Sequence, residues 1–256
     1  MRPGITVITV THNRFDLLQK AAASVSEQCI DVPVEHLIIG DECPALENAE
    51  AQLMQRFSGI RVVNIQRVHS VATVSMRLAA LRNRALAMIE TEYVAYLDDD
   101  NTYQPDHLAS LLQIVEHQDC DAAHSFRVII EPDGTLFQGD YFPWVKDPMQ
   151  SQSFLDTMIG FGVLARGSSV MRDTIALPGD WSGTVDTSEW LIRTEVNRQY
   201  PWCENVSPED EAIGITEDGA WLRQLVAAGL HIGCSGQATL LYRLGGRSNP
   251  LLIASA

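Results

Sequence analysis

Four short apolar runs, Ile5 to Val10, Val34 to Ile39, Ile60 to Ile65 and Tyr93 to Leu97, recur along the N-terminal part of the chain, and the stretches between them carry a helical rather than an alternating period. Phe15, Leu18, Ala21, Ala22 and Val25 space one amphipathic helix, Leu46 to Phe57 a second, and Val71 to about Ile89 a third, rich in Ala, Leu and Met. Strands that alternate with helices need crossover connections, so the sheet is expected to be mainly parallel and covered on both faces. The fold class is therefore α/β, a Rossmann-like sheet flanked by helices. Ligands of such sheets gather outside the carboxyl ends of the strands. Asn13, Asp41 and the run Asp98-Asp99-Asp100-Asn101 each fall just past an expected strand end, so topology alone draws them to one edge.

The acidic run is the strongest chemical signal. Two unit charges about 4 Å apart repel by roughly 4 kcal/mol at an effective dielectric near 20, so three adjacent carboxylates delivered by an apolar strand call for a cation. Oxygen ligands at an open strand end suit Mg²⁺ or Mn²⁺, which bind through one or two carboxylates and complete their shell with water and phosphate oxygens. The alternative is a polar turn that closes the strand, with Asn101 tightening it.

Pro105 is expected in the first turn of the next helix, whose apolar face is Leu108, Leu111, Leu112 and Val115. After about Ala123 the rhythm changes. Phe126 to Ile130, the turn Pro132-Asp133-Gly134 and Leu136 to Phe137 read as a hairpin, and a Gly- and Trp-rich region follows. From Thr216 a helix resumes, with Trp221, Leu222, Leu225 and Val226 on one face and Gly229 as its C-terminal cap. His231 to Cys234 and Ala238 to Tyr242 are two further short strands. One domain over residues 1–256, with halves of about 1–125 and 126–256, is the simplest division.

At 256 residues and 46% hydrophobic content the chain can bury a sizeable core. Its net charge of −15 argues against a nucleic-acid partner, so a phosphate-bearing ligand would be held locally, by a divalent ion and a few placed arginines. Cys29, Cys43, Cys120, Cys203 and Cys234 show no C-x-x-C spacing, and reduced, mostly buried thiols are expected. No stretch approaches the length of a transmembrane helix and no signal sequence is evident, which gives a cytoplasmic expectation with peripheral membrane contact left open.

In this order and spacing, Ile5 to Arg14, Ile38-Ile39-Gly40-Asp41, Leu81-Arg82-Asn83-Arg84-Ala85-Leu86, Tyr93 to Asn101 and Thr216-Glu217-Asp218-Gly219-Ala220-Trp221 resemble the inverting glycosyltransferases of family 2, which have the GT-A fold. The resemblance implies a nucleotide-binding first half, an acceptor-binding second half, a nucleotide-sugar donor expected to be a uridine diphosphate sugar, a hydroxyl acceptor, and a divalent metal, Mn²⁺ or Mg²⁺. It makes Asp98, Asp99 and Asp100 the D-x-D element, with Asp100 on the metal, Asp98 on the metal or ribose, and Asp99 among the donor contacts. Thr11, His12, Asn13 and Arg14 would line the nucleotide pocket. Asp41 would meet the nucleobase, although Gly40 stands where relatives carry a second acid. Arg82 and Asn83 match an element that approaches the diphosphate; an exposed helix-face cation is the alternative for Arg82.

Inverting transfer needs a base for the acceptor hydroxyl, and the family's acidic pair maps to Glu217 and Asp218, with Asp218 preferred. Capping explains the same residues otherwise, since Thr216 is a good N-cap and acids in a first turn favour the helix dipole. Glu209-Asp210-Glu211 is expected to be a solvated surface. Trp181, Trp190 and Trp202 are candidates for a sugar-stacking platform, with core burial the alternative; Trp221, on the acidic-pair helix, is a candidate on the acceptor side, and Gly160 to Val163 for a wall of the pocket, with packing the alternative. Many relatives place a histidine near the C-terminal strand. This chain has Arg243 and Arg247 there, and one or the other is expected to neutralise the diphosphate instead, from a loop that closes over the donor. A sugar nucleotidyltransferase would carry a Gly-rich basic loop in place of Thr-His-Asn-Arg, and a non-catalytic nucleotide-sugar binding protein would bind donor without turnover. Self-association is left open.

Overall fold

The computed structural model describes residues 1–66, 73–179, 183–206 and 215–246. Its strands are β1 (Arg2–Thr11), β2 (Val34–Asp41), β3 (Ile60–Ile65), β4 (Thr91–Tyr96), β5 (Thr102–Tyr103), β6 (Ala122–Ile130), β7 (Val170–Met171), β8 (Trp190–Arg193) and β9 (Ile232–Arg243). Its α-helices are α1 (Phe15–Ser26), α2 (Pro44–Arg56), α3 (Val74–Leu86), α4 (His107–His117), α5 (Pro148–Gly160), α6 (Thr194–Gln199) and α7 (Glu217–Ala227). The strands form one sheet in the order β3-β2-β1-β4-β8-β6-β9-β5, with β7 on β6.

The first four strands pair in parallel, as their apolar runs require. β1, β2 and β4 are covered on both faces, whereas β3 is an edge strand in which only Ile60 is buried. On β4, Tyr93, Ala95 and Leu97 pack with α1 and α4 through Ala21, Val25, Leu108 and Leu111, whereas Val94 and Tyr96 face α3 and α7 through Ala79, Ala85, Trp221 and Leu225. A strand buried on both faces reads as a continuous hydrophobic run, and this run shows no alternation for that reason. Tyr96, Trp202 and Trp221 form the thickest part of the core; the two indoles stack at 4.0 Å and Tyr96 meets Trp202 edge-on at 4.9 Å.

Beyond β4 the sheet becomes mixed. The four residues of β8 run antiparallel to both β4 and β6, and β6 then pairs in parallel with β9. The two strands expected over 231–234 and 238–242 are one strand. It is interrupted by register shifts between His124 and Phe126 and between Phe126 and Arg127; at the first, Gly236 takes φ +67°, a left-handed step that suits glycine. The turn at Asp133-Gly134 forms, with the Glu131 amide donating to Thr135, but Leu136 makes only an isolated bridge to Ile130. Pro105 lies two residues before α4 rather than in its first turn, and its carbonyl accepts from the Cys29 amide at 2.8 Å. All five cysteines are unpaired; Cys43 and Cys120 are buried, Cys203 is half-buried, and Cys29 and Cys234 are exposed, so burial holds for fewer of them than expected. Among the described residues no helix is long and apolar enough to cross a membrane.

Candidate active site

Register sets the floor of the site. Tyr96 pairs with Ile8 and Thr11 with Gly40, so Thr11, Asp41 and Asp98 emerge side by side from the carboxyl ends of β1, β2 and β4. A cavity of about 790 Å³ opens above them. Its walls include Thr11, His12, Arg14, Asp41, Arg82, Asp98, Asp100, Glu217, Asp218 and Arg243 from the sequence reading, and Ser75, Arg77, Trp144, Asp186 and Tyr242 in addition.

The end of β4 at Tyr96 and the turn at Asp99-Asp100 divide the acidic run. Leu97 faces α4 and Asp98 turns to the α3 side, where its carboxylate meets the Arg82 guanidinium at 3.0 Å. Asp99 turns back beneath the strand ends and is fully buried; it accepts from the Thr11 hydroxyl at 2.7 Å and from Arg14 Nε at 3.1 Å. Burial lifts the Asp99 carboxyl to about 7 against the pull of Arg14 and Thr11. Asp99 therefore braces the first turn and does not line the cavity. Asp100 does, with Arg14 Nη1 at 2.6 Å, and burial and then the charge of Asp98 push its pKa up. Asn101 locks the turn from below by donating to Ser188 Oγ at 3.1 Å and accepting from the Arg243 amide at 3.0 Å.

Arg82 is no exposed helix-face cation. It is 3% exposed, lies over the Trp202 ring at 4.6 Å, and bridges Asp98 to Glu217 at 2.9 Å. Burial would pull its guanidinium down, but Asp98 and Glu217 together hold it above its ordinary value. Asn83, the next residue, points away from the cavity and clips the backbone of Trp202 from both sides, donating to its carbonyl and accepting from its amide at 2.9 Å.

The start of α7 separates the two acids. Glu217 is buried against Arg82, and burial raises its pKa against that partner. Asp218 is half-exposed on the cavity wall. Thr216 occupies the N-cap position, yet its hydroxyl makes no capping bond to the backbone; it donates to Asp218 Oδ1, which also accepts from the Gly219 amide at 2.7 Å. The hydroxyl thus orients the carboxylate.

At the far end of the cavity Arg77 pairs with Asp41. An acid at Gly40 would force Asn64 and Leu46 to move, because a Cβ there would lie 2.6 Å from Asn64 Oδ1 and 2.7 Å from Leu46 Cδ2. His12 Nδ1 donates to the Asp41 carbonyl at 2.6 Å and Nε2 accepts from Asn13 Nδ2 at 3.2 Å, which fixes the tautomer. Asn13 itself takes φ +55° and is tied to Cys43, outside the cavity. The Arg243 side chain donates to the Pro132 carbonyl.

Trp190, Trp202 and Trp221 are core residues, each at most 2% exposed, and Trp221 Nε1 is spent on the Tyr200 carbonyl at 2.9 Å. Val163 is likewise buried, in the core cluster beside α5. Arg247, Trp181 and the acids 209–211 lie outside the described residues. Arg77 and Asp186 were missed. The first carries no motif, but Asp186-Thr187-Ser188-Glu189 has the spacing of a capping box, and the structure forms one.

Among the described residues no group of three or more metal-ligating side chains converges. Two cavity-facing carboxylates separated by a buried one fit an ion whose remaining ligands come from a diphosphate and water, the usual habit of Mg²⁺ and Mn²⁺.

The sequence model for glycosyl transferase family 2 matches residues 6–176. A putative teichuronic acid biosynthesis glycosyltransferase, TuaG of Bacillus subtilis, is 28% identical over 135 residues, covering 52% of this chain and 50% of that protein. A putative colanic acid biosynthesis glycosyl transferase, WcaA of Escherichia coli, is 29% identical over 119 residues, covering 45% and 40%. The chain thus spans half or less of the length of these relatives. Among solved structures, S. aureus TarS 1–349 in complex with UDP-GlcNAc superposes with a TM-score of 0.60 at 14% identity, over 99% of this chain and 61% of that one. A mannosyltransferase from Pyrobaculum calidifontis in complex with GDP-Man and Mn²⁺ gives 0.59 at 14%, over 97% and 59%. These likenesses establish the fold.

Proposed function

The chain belongs to glycosyl transferase family 2 and has its GT-A fold, and from that premise we propose that it transfers a sugar from a uridine diphosphate donor to an acceptor hydroxyl with inversion at the anomeric carbon. The observation that carries this reading is that Asp98, Asp100 and Asp218 open onto one cavity whose opposite end holds the Arg77–Asp41 pair.

A carboxylate accepts and a guanidinium donates, so the Asp41–Arg77 edge complements the N3–H and carbonyl oxygens of uracil. Cytosine, which presents an acceptor at N3, would leave Asp41 facing a lone pair. Asp98 and Asp100 would hold a divalent ion, which when bound neutralises the departing diphosphate. Arg14, already beside Asp100, supplies a further cation at the same place. Asp218 is the base. Its carboxylate takes the proton of the acceptor hydroxyl as that oxygen bonds to the anomeric carbon on the face opposite the diphosphate, whose bond to carbon breaks. Glu217 is unsuited to this role because Arg82 holds it, whereas Thr216 keeps Asp218 turned to the cavity.

A thermal-shift screen against uridine, guanosine, thymidine and cytidine diphosphates, each with and without Mn²⁺, tests the reading. Ligand at a hundredfold over Kd adds about 2.7 kcal/mol, or about 5 °C for a chain of this size. Uridine diphosphate is expected to give that shift only with metal. No metal-dependent shift with any of the four would overturn the assignment.

A further inference from the structure

The cavity end beside Asp218 is built from residues the catalytic reading leaves without a role. Asp186 stands there at the N-cap of a short 3₁₀ turn, Thr187–Glu189, and its carboxylate accepts from the Ser188 amide at 3.0 Å. Behind it lies Arg127, 4% exposed, whose guanidinium is shared among Asp173 at 3.0 Å, Asp186 at 3.3 Å and the Thr184 carbonyl at 3.1 Å. The same guanidinium lies over the rings of Trp144, at 5.0 Å, and Tyr242, at 4.8 Å. The positive charge is thereby enclosed by carboxylates and aromatic faces. Glu189 and Asp173 add two more buried acids to this cluster. Asp186, Asp218, Trp144 and Tyr242 all line the cavity, together with Thr187 and Arg243.

That composition selects a ligand class. Aromatic faces pack on the apolar faces of sugar rings, and carboxylates accept hydrogen bonds from ring hydroxyls. A sugar that carries its own carboxylate would meet Asp186 and Asp218 here, while the nearby guanidinia are engaged elsewhere: Arg127 with Asp173 and Asp186, and Arg243, which also borders the cavity, with the Pro132 carbonyl. The sugar must also sit here, because its anomeric carbon lies between the diphosphate near Asp98 and Asp100 and the base Asp218. We propose that Asp186 is a specificity-determining residue of the donor-sugar subsite: braced by Arg127 and flanked by Trp144 and Tyr242, it restricts the donor to uncharged sugars. The inference rests on the transferase reading above.

The test uses uridine diphosphate, UDP-glucose and UDP-glucuronate, whose two sugars differ only in a CH₂OH against a COO⁻ group. Calorimetric affinities are measured in Mn²⁺ for the wild type and for Asp186→Asn, which keeps an acceptor at the cap. Wild type is expected to bind UDP-glucose at least tenfold more tightly than UDP-glucuronate. Asp186→Asn is expected to bring the two within threefold by strengthening the glucuronate complex, with uridine diphosphate alone unchanged within twofold. Equal wild-type affinity for the two sugars would overturn the proposal without need of the variant, as would a ratio that Asp186→Asn leaves unchanged. If uridine diphosphate binds and the ratio fails, the inference alone falls; if uridine diphosphate itself does not bind, the donor reading falls and takes the inference with it.

Discussion

Replacing Arg82 by methionine would remove the cation that joins α3, β4 and α7 beneath the site. The side chain is buried, pairs with a buried Glu217 at 2.9 Å, and covers Trp202. Breaking one partner of a buried pair costs about 3–5 kcal/mol because the other charge is left unpaired. The second partner, Asp98, is 34% exposed and water can take over its solvation, so it adds little. Loss of the cation over the indole falls within the same range. With an unfolding entropy of about 2.1 cal/mol/K per residue, about 4 kcal/mol lowers Tm by roughly 7 °C in a chain this long. The origin of the penalty is separable from the loss of packing. If it is the stranded carboxylate, then Arg82→Met with Glu217→Leu should be no less stable than Arg82→Met alone, a coupling of at least about 2 kcal/mol by chemical denaturation. Additive costs in the double variant, or a single-variant loss below about 1 kcal/mol, would refute the argument that the pair is electrostatically closed.

Two further outcomes follow from the same geometry. Asp218→Asn keeps an oxygen for the Thr216 hydroxyl and the Gly219 amide, so stability should hold within about 1 kcal/mol while kcat falls about 10² to 10⁴-fold with donor affinity unchanged; steady turnover in this variant would point to Glu217 or to a base elsewhere, and no turnover in the wild type to a binding protein. His107 is buried against Thr239 and Tyr103, and burial holds its pKa down at about 3 against the ordinary 6.5. Its stability contribution is therefore complete above pH 6.5 and is lost as the pH falls toward 3, by about 1.4 kcal/mol per unit. The gap between wild type and His107→Gln in denaturant should narrow by about 2 kcal/mol between pH 7.5 and pH 5, and a constant gap would show that the ring is protonated in the fold.

The parallel half of the fold was legible because burial on both faces leaves β1, β2 and β4 as unbroken apolar runs, each followed by a helix of clear period. The mixed half was not. β8 has only four residues, and it becomes a central strand through pairing with β4 and β6, which local pattern does not encode. β9 reads as two strands because Cys234 to Gln237 interrupts its apolar pattern, although the backbone carries it through with one glycine step. In the site, acids at strand ends were visible from their pattern, whereas Arg14 and Arg82 were named only through the family resemblance and Arg77 not at all. Arg82 looks like any helix cation until Asp98 and Glu217, 16 and 135 residues away, close around it. Trp221 and Asn83, conversely, sit beside site residues in sequence and face the core or a neighbouring loop, because adjacent helix positions point about 100° apart.

The same geometry explains why a run of three aspartates can be tolerated where two would suffice. β4 ends at Tyr96 and the chain turns at Asp99-Asp100, so Leu97, Asp98 and Asp99 point in turn toward α4, toward α3 and α7, and back beneath the first turn. Each direction ends at a different partner: Arg82 for Asp98, Thr11 and Arg14 for Asp99, and Arg14 again for Asp100. Arg14 spans the two that would otherwise repel, and Asp99 in turn fixes the turn that presents Arg14 and His12 to the cavity. The middle aspartate is thus the one enclosed inside the fold, which leaves its two neighbours to face the cavity.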